Sequence, residues 1–458
     1  MKRISTLCIS ALLSSVGAWA QIDIATVDLS PLEYQVPGTA DFSIIIENKS
    51  STGVGSMNVY WKLDNGPVNT VTKNASNIQW GGTVGQVQDA TFKVSLPSAG
   101  TYQLKAWVKT TSPLDNNATN DTIVKNIRVF ETLPKKNVVL EVYKHQGCGP
   151  CYDAANYCDT LVAKNPRYSV ASIYTAKNDV LYNADGAVFN DLFNFAHPMP
   201  VFDRFKFPYK SALGSSFYTM GNGYFLRNYG DREKFYEPVQ VYFHSVNWNE
   251  NTRELRVKVG AIFFDDMNGD YRFNVYLTED SIKAFQSSAP DPNNYYHKHV
   301  LRAMLGGTYG KQGSLPVSIK KGDVKHYEFV YTIPKDYNIN KMHITALVQN
   351  YTHSDLNKRI LNSEHKAFKQ AVSVQDAPAT AATELKVYPN PAKNVLHVST
   401  GNAQVKYKMS IIDMNGRTHI TSDIYGNAEI DIQALPAGHY ILMADDGAVV
   451  HTQAVVKQ

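Results

Sequence analysis

The sequence predicts a multidomain, mainly β protein in which one α/β unit lies between β-sandwiches. Three observations carry this. Short alternating apolar runs broken by turn residues fill residues 21–132 and 236–372, and strand–helix–strand order occurs only between about 136 and 235. Tyrosine is abundant, at 28 of 458 residues, while helical patterns are few. A chain of 458 residues has room for roughly three or four domains with cores of their own.

The chain opens Met1-Lys2-Arg3, continues through an apolar run from Ile4 to Val16 and reaches Ala18-Trp19-Ala20. A basic start, a short apolar stretch and small residues around Trp19 read as a secretory signal peptide over 1–20. No later run approaches the ~20 apolar residues of a membrane-spanning helix. The expectation is therefore an exported protein without a transmembrane helix. Beyond the signal the cysteines are Cys148, Cys151 and Cys158, too few for a chain of this length to rest its stability on disulfides. The signal holds two of the 45 basic residues, leaving 43 against 41 acidic ones, a balance that argues against nucleic acid as a partner.

Residues 21–132 carry runs such as Phe42-Ser43-Ile44-Ile45-Ile46 and Tyr102-Gln103-Leu104-Lys105-Ala106-Trp107-Val108, with Asp64-Asn65-Gly66 and Ser98-Ala99-Gly100 as turns. They read as an immunoglobulin-like antiparallel sandwich with no catalytic constellation. The triplets at Asn74, Asn117 and Asn120 read as loop chemistry. Residues 136–235 run strand, helix, strand at Tyr168 to Tyr174, helix near Asp185 to Phe195, then His197 to Arg204, an order expected to give parallel pairing. Residues 236–372 return to strands, a second sandwich with a long insertion from Ala284 to Lys311. A Pro/Ala/Thr-rich linker at 373–383 leads to a compact β unit over 384–458.

The chemistry sits at Cys148-Gly149-Pro150-Cys151, directly after the apolar run Asn137 to Tyr143. A Cys-x-x-Cys that closes a strand and opens a helix has the spacing of a dithiol/disulfide redox pair. Its first sulfur meets the helix N-terminus, which stabilises a thiolate. Pro150 suits a first helical turn. The region resembles the thioredoxin fold, on the whole tetrapeptide and its strand–helix setting. The resemblance implies that Cys148 is the exposed nucleophile and Cys151 the resolving thiol. It also implies a facing cis-proline, with Pro198 the first choice and Pro200 the alternative. Two features depart from the pattern: Gly147 replaces the usual tryptophan, and Val142 stands where a buried acid is usual. Glu141 is next to it, but strand alternation sends it to the other face. His145 and Lys144 are the candidates for moving the proton of Cys151.

Other motifs read more plainly. Cys158 lies two helical turns past Cys151, too far for a bridge along a straight helix, and reads as a buried free thiol. His297 and His299 read as packed structural histidines. Asp265-Asp266-Met267-Asn268-Gly269-Asp270 lacks the sixth-position glycine and terminal glutamate of a calcium loop and reads as a hairpin turn. No metal ligand set or cofactor site is expected.

The terminal unit carries Leu385-Lys386-Val387-Tyr388-Pro389-Asn390-Pro391, Ile412-Asp413-Met414-Asn415-Gly416-Arg417 and Leu435-Pro436-Ala437-Gly438-His439-Tyr440-Ile441-Leu442. In residue terms these are strands and turns, with prolines at strand starts. In order, they resemble the C-terminal sorting domain of type IX secretion substrates. That implies engagement of the secretion machinery through 384–458 and a cell-surface or extracellular location. The stretch from Lys136 to Lys369 also resembles a family of outer-membrane-associated proteins named for a 28-kDa member. The matching residues are Asn137 to Glu141, Pro198 to Arg204, Val275 to Asp280 and His297 to Arg302. Two functions follow as expectations. One is thiol–disulfide exchange on exported proteins through Cys148 and Cys151. The other is a non-catalytic surface-binding protein or adhesin in which the Cys148–Cys151 bridge is structural.

Overall fold

The computed structural model describes residues 22–30, 34–50, 52–74, 87–112, 114–193, 196–205, 232–351, 358–372, 385–400, 405–413, 417–445 and 450–458. The expected signal peptide, the 373–383 linker and the Asn415-Gly416 turn lie outside the described residues. Strands dominate, and the chain is mainly β and multidomain. Two compact units form, one from residues up to Ser30, 41–94 and 102–126, the other from 31–40, 95–101 and 127 onward.

In the first unit alternation buries Phe42, Ile44 and Ile46 on one sheet and Met57, Val59, Leu104, Ala106 and Val108 on the other. Trp61 of the second sheet meets Phe92 of the first at a ring-centroid distance of 4.8 Å, so the sheets face one another as a sandwich.

In the second unit the strand Val138–Lys144 is buried along its whole length because it is an inner strand. Tyr168–Tyr174 pairs with it in parallel, and Met199–Phe202 pairs antiparallel on its other side. The sheet continues through Val300–Met304, Asp270–Glu279, Met342–Tyr351 and Ile360–Ala367, seven strands in all. The expected parallel pairing thus fails for Met199–Phe202. Strand–helix alternation does not set the direction of a strand that joins the far edge of the first one. Nor does the sheet break at residue 235, because Val300–Met304, inside the expected insertion, pairs in parallel with Tyr168–Tyr174. Alternation marks the faces of a strand, not its neighbours.

The faces follow the residue parity. Val138, Leu140 and Val142 pack with Ala154, Cys158 and Leu161 of the helix Cys151–Lys164. Val139 and Tyr143 face the other way, toward Phe189 of the helix Ala184–Phe193 and Tyr276, Leu301 and Leu347 of the same sheet. Phe273, Val275, Leu277, Ile344 and Val348 bury the opposite face against a three-stranded sheet of Val239–Asn249, Glu254–Phe263 and Val324–Thr332. Residues 385–458 form two further sheets, of three and four strands, around Leu396, Met409, Ile411 and Leu442. There Pro389 and Pro391 follow the strand Lys386–Tyr388 rather than opening a strand.

Glu141 points away from the cysteine-bearing helix, as its parity requires, into a site where it is fully buried. Arg204 grips its carboxylate with two bonds of 2.7 and 2.8 Å, and the hydroxyls of Tyr276 and Tyr143 donate to it at 3.0 and 3.1 Å. Arg204 and Asp203 both have left-handed backbone, with φ of 48° and 51°, which costs a non-glycine residue about 1 kcal/mol or more each. Side chains hold them there. Asp203 accepts from the Val139 amide at 2.9 Å and from Arg232 at 2.6 Å, with buried Lys136 3.5 Å away. Glu141→Ala should therefore destabilise the protein by about 3–5 kcal/mol, since it strands a buried guanidinium. Glu254→Ala, in an exposed pair with Arg256, should cost under about 1 kcal/mol in the same urea titration.

Candidate functional site

The strand Val138–Lys144 delivers the chain into a tight loop that winds directly into the helix Cys151–Lys164. The Cys148 amide donates to the His145 carbonyl and the Cys151 amide to the Cys148 carbonyl, both at 3.2 Å, and the Tyr152 amide donates to Gly149 at 3.1 Å. Pro150 occupies the N-cap with helical backbone, needing no donor of its own. Cys148 and Cys151 are joined as a disulfide. Cys151 is fully buried, Cys148 is 6 % exposed, and Gly147 beside them is open to solvent.

The two candidate prolines take different places. The peptide before Pro198 is cis, whereas Pro200 sits within the outermost strand opposite Val142, where a missing amide forfeits no ladder bond. Met199 pairs with Tyr143, so the cis peptide lies at the same end of the sheet as the cysteine loop. His145 is there too, edge-on to His197 at 5.2 Å. Thr175 Oγ1 and Asn190 Oδ1 stand 3.0 and 2.9 Å from His197 Nε2. Burial, reinforced by His145, lowers His197 to about 4, which keeps it neutral at physiological pH.

Lys144 is buried in the layer between strand and helix, its ammonium 5.1 Å from the centroid of the Tyr174 ring. Cys158 is a free thiol in that layer, pushed up to about 12 by burial and so a poor nucleophile. His297 and His299 part company. His297 is buried against the Tyr174 hydroxyl (2.5 Å) and the Phe285 carbonyl (3.1 Å), while His299 Nε2 lies 3.2 Å from Asp159.

Sequence reasoning missed the cover. Part of the Ala284–Lys311 insertion folds over the cysteine loop: Gln286, 1 % exposed, donates its amide to the Cys148 carbonyl at 2.9 Å. The Ser287 amide donates to the Gln146 carbonyl at 2.9 Å, and the Gln146 side chain donates to the Phe285 carbonyl at 2.8 Å. Gln146 also accepts from the Val180 amide at 3.1 Å, tying a second loop to the first. Ser288 stands so close to Gly149 that a Cβ there would lie 2.7 Å from its hydroxyl, and the serine side chain would have to turn away to admit one. Glutamines and serines in a long insertion give no pattern that would reveal such a contact.

Lys144 yields a prediction. Burial pulls it from 10.5 to about 8, so the unfolded chain holds this proton more tightly than the folded one. The resulting cost is full below about pH 8 and is relieved between about 8 and 10.5. Lys144→Met should raise stability at pH 7 by about 3 kcal/mol and flatten the increase in stability between pH 8 and 10.5, read from urea denaturation at each pH.

Residues 243–371 match the family model for outer membrane protein Omp28, and residues 386–458 match that of the secretion system C-terminal sorting domain. The cysteine pair lies outside both ranges. Among solved structures, HBP35 of Porphyromonas gingivalis aligns over 70 % of this chain and 98 % of its own at 16 % identity, with a TM-score of 0.43. The CARDB domain of the PF1109 protein from Pyrococcus furiosus, solved with di-metal ions, covers 24 % of this chain and 96 % of its own at 18 % identity and TM-score 0.19. The α-2-macroglobulin of E. coli aligns with 96 % of this chain over 22 % of its own at 9 % identity and TM-score 0.21. Likenesses this distant carry no argument about the present chain. No curated protein matches it.

Proposed function

We propose, for a chain whose residues 243–371 belong to the outer membrane protein Omp28 family and whose residues 386–458 are a type IX secretion sorting domain, that Cys148 and Cys151 perform thiol–disulfide exchange. The family and the sorting domain make it an exported protein of the cell surface or extracellular space, addressed to the secretion machinery by its last domain. The exchange would act on other exported proteins, within a thioredoxin-like unit over 136–235 that shares its sheet with the 236–372 sandwich. The immunoglobulin-like 21–132 sandwich and the 236–372 sandwich would present or select the substrate. One observation carries the reading: the disulfide sits in the loop between the strand Val138–Lys144 and the helix Cys151–Lys164, next to solvent-exposed Gly147.

From the disulfide form, a substrate thiolate attacks Cys148 Sγ, the Cys148–Cys151 bond breaks, and Cys151 leaves as a thiolate that takes up a proton. A second substrate thiolate attacks the mixed disulfide, releasing Cys148 and leaving the substrate oxidised by two electrons. The reverse sequence reduces a substrate disulfide. Lys144, at about 8, is suited to giving and regaining the proton of Cys151, with His145 as the alternative. Pro198 would present backbone to the substrate.

A second reading has its own observation. Cys148 is only 6 % exposed beneath Gln286 and Ser288, as suits a structural bridge in a surface-binding protein or adhesin. Trapping separates the two. Cys151→Ser leaves Cys148 free to form a mixed disulfide that cannot resolve. Non-reducing gels of exported Cys151→Ser protein should show adducts that dithiothreitol releases and that Cys148→Ser lacks. Monomer alone in both variants would decide for the structural bridge.

A further inference from the structure

One sheet of the first unit turns an aromatic and cationic face to solvent, outside the site described above. Strands Ser56–Leu63, Asn69–Asn74 and Gly100–Ser112 lie side by side in it, the first pairing antiparallel with each of the others. Met57, Val59, Leu104, Ala106 and Val108 are buried in the core. Alternation therefore turns Asn58, Tyr60 and Lys62 outward on one strand and Lys105, Trp107 and Lys109 outward on its neighbour. The pairing sets Tyr60 directly opposite Trp107, and their rings stack at a centroid distance of 5.6 Å with 10° between the planes. Lys105 Nζ lies 5.7 Å from the centroid of the Trp107 ring, and Lys109 Nζ lies 6.0 Å from that of Tyr60. Thr70 and Thr72, both exposed, extend the face with hydroxyls.

We propose that this face binds an acidic polysaccharide, a chain of pyranose rings bearing repeated carboxylates, independently of any chemistry at the cysteine pair. Charge carries the argument. Lys62 stands directly opposite Lys105, a like-charge pair that weakens a sheet, and none of the three strands contains an aspartate or glutamate to offset it. Residues 21–132 as a whole hold ten Asp or Glu against eight Lys or Arg, so the cations are gathered on this face rather than typical of the domain. Lys105 and Lys109 are four residues apart on one strand, about 13 Å along it. A small anion meets one of them, whereas a polymer of carboxylates meets both. The rings add selectivity for a sugar, because Tyr60 and Trp107 offer flat apolar surface to the C–H side of a pyranose. Beside them Asn58 and Thr72, bonded to each other at 2.7 Å, and Thr70 can bond its hydroxyls. Single-stranded nucleic acid would also stack on the rings, but its binders are strongly basic and this domain is acidic on balance.

The test titrates the full chain calorimetrically with polygalacturonate, and with methyl-esterified polygalacturonate, poly-L-glutamate and poly(dT) under the same conditions. Saturable binding of polygalacturonate is expected, weakening as salt rises, with the other three polymers about tenfold weaker or more. Trp107→Ala and the double variant Lys62→Gln with Lys105→Gln should each weaken polygalacturonate by about tenfold or more, and the double variant should also flatten the salt dependence. Lys93→Gln, which removes an exposed lysine paired with Asp41 on the other sheet, should leave binding unchanged. Near-UV circular dichroism checks that each variant is folded, and the double variant, which alters only solvent-facing side chains, decides alone if Trp107→Ala is not. Absence of saturable polygalacturonate binding, or binding that the folded variants leave intact, overturns the proposal. Equal binding of the methyl-esterified polymer removes the role of charge and overturns it as well. Equal binding of poly-L-glutamate or poly(dT) overturns the assignment to a polysaccharide.

Discussion

The buried pair of Glu141 and Arg204 is the constraint on which the arrangement around the disulfide depends. Both side chains are out of contact with water, so the pair is tolerable only because its partners are complete. Arg204 spends its remaining donors on the Thr308 carbonyl and the Tyr276 hydroxyl, and the carboxylate accepts from two tyrosines as well. Those bonds join four pieces of chain: the strand that leads to the cysteines, the segment after the cis-proline strand, a strand of the sandwich half, and the loop at Thr308. The left-handed backbone at Asp203 and Arg204 persists because this network over-determines it. The cysteine loop and the cis peptide are therefore held at one sheet end by a rigid base, the condition for a preorganised site.

The disulfide closes the loop above a dry layer between strand and helix. In that layer Lys144 and Cys158 are shifted in opposite directions by the same loss of water, the amine down and the thiol up. Outward lie Gly147, open to solvent, and Gln286 and Ser288, which close over Cys148 and Gly149. The site is thus narrower than the Cys-x-x-Cys spacing alone would suggest. Any protein partner must reach Cys148 past a strap of the insertion. An exported chain meets an oxidising exterior, where a closed disulfide is the stable state of such a pair.

Much of this was legible in the sequence, and the exceptions have physical causes. Cys148 and Cys151 were legible because strand, loop and helix N-terminus follow one another within a few residues. The orientation of Glu141 followed from strand parity alone. Its partner Arg204 did not, because 63 residues separate them and nothing local links the two. Val300–Met304 was hidden as a five-residue run inside an insertion, although it joins the two halves of the sheet. Gln146 and Gln286 were invisible because their importance lies in backbone carbonyls that only the fold brings near. Asn117 and Asn120 read as loop chemistry, and the burial of Asp121 next to them cannot be seen from its neighbours in sequence.

The central claim is that the Cys148–Cys151 pair is poised for exchange rather than locked as a staple. Its reduction potential tests this most directly, measured by equilibrating the full chain with defined dithiol/disulfide buffers and quantifying free Cys148. A redox-active pair should give a value between about −270 and −120 mV, the range of known exchange proteins. A value below about −300 mV, typical of structural disulfides, would contradict the account.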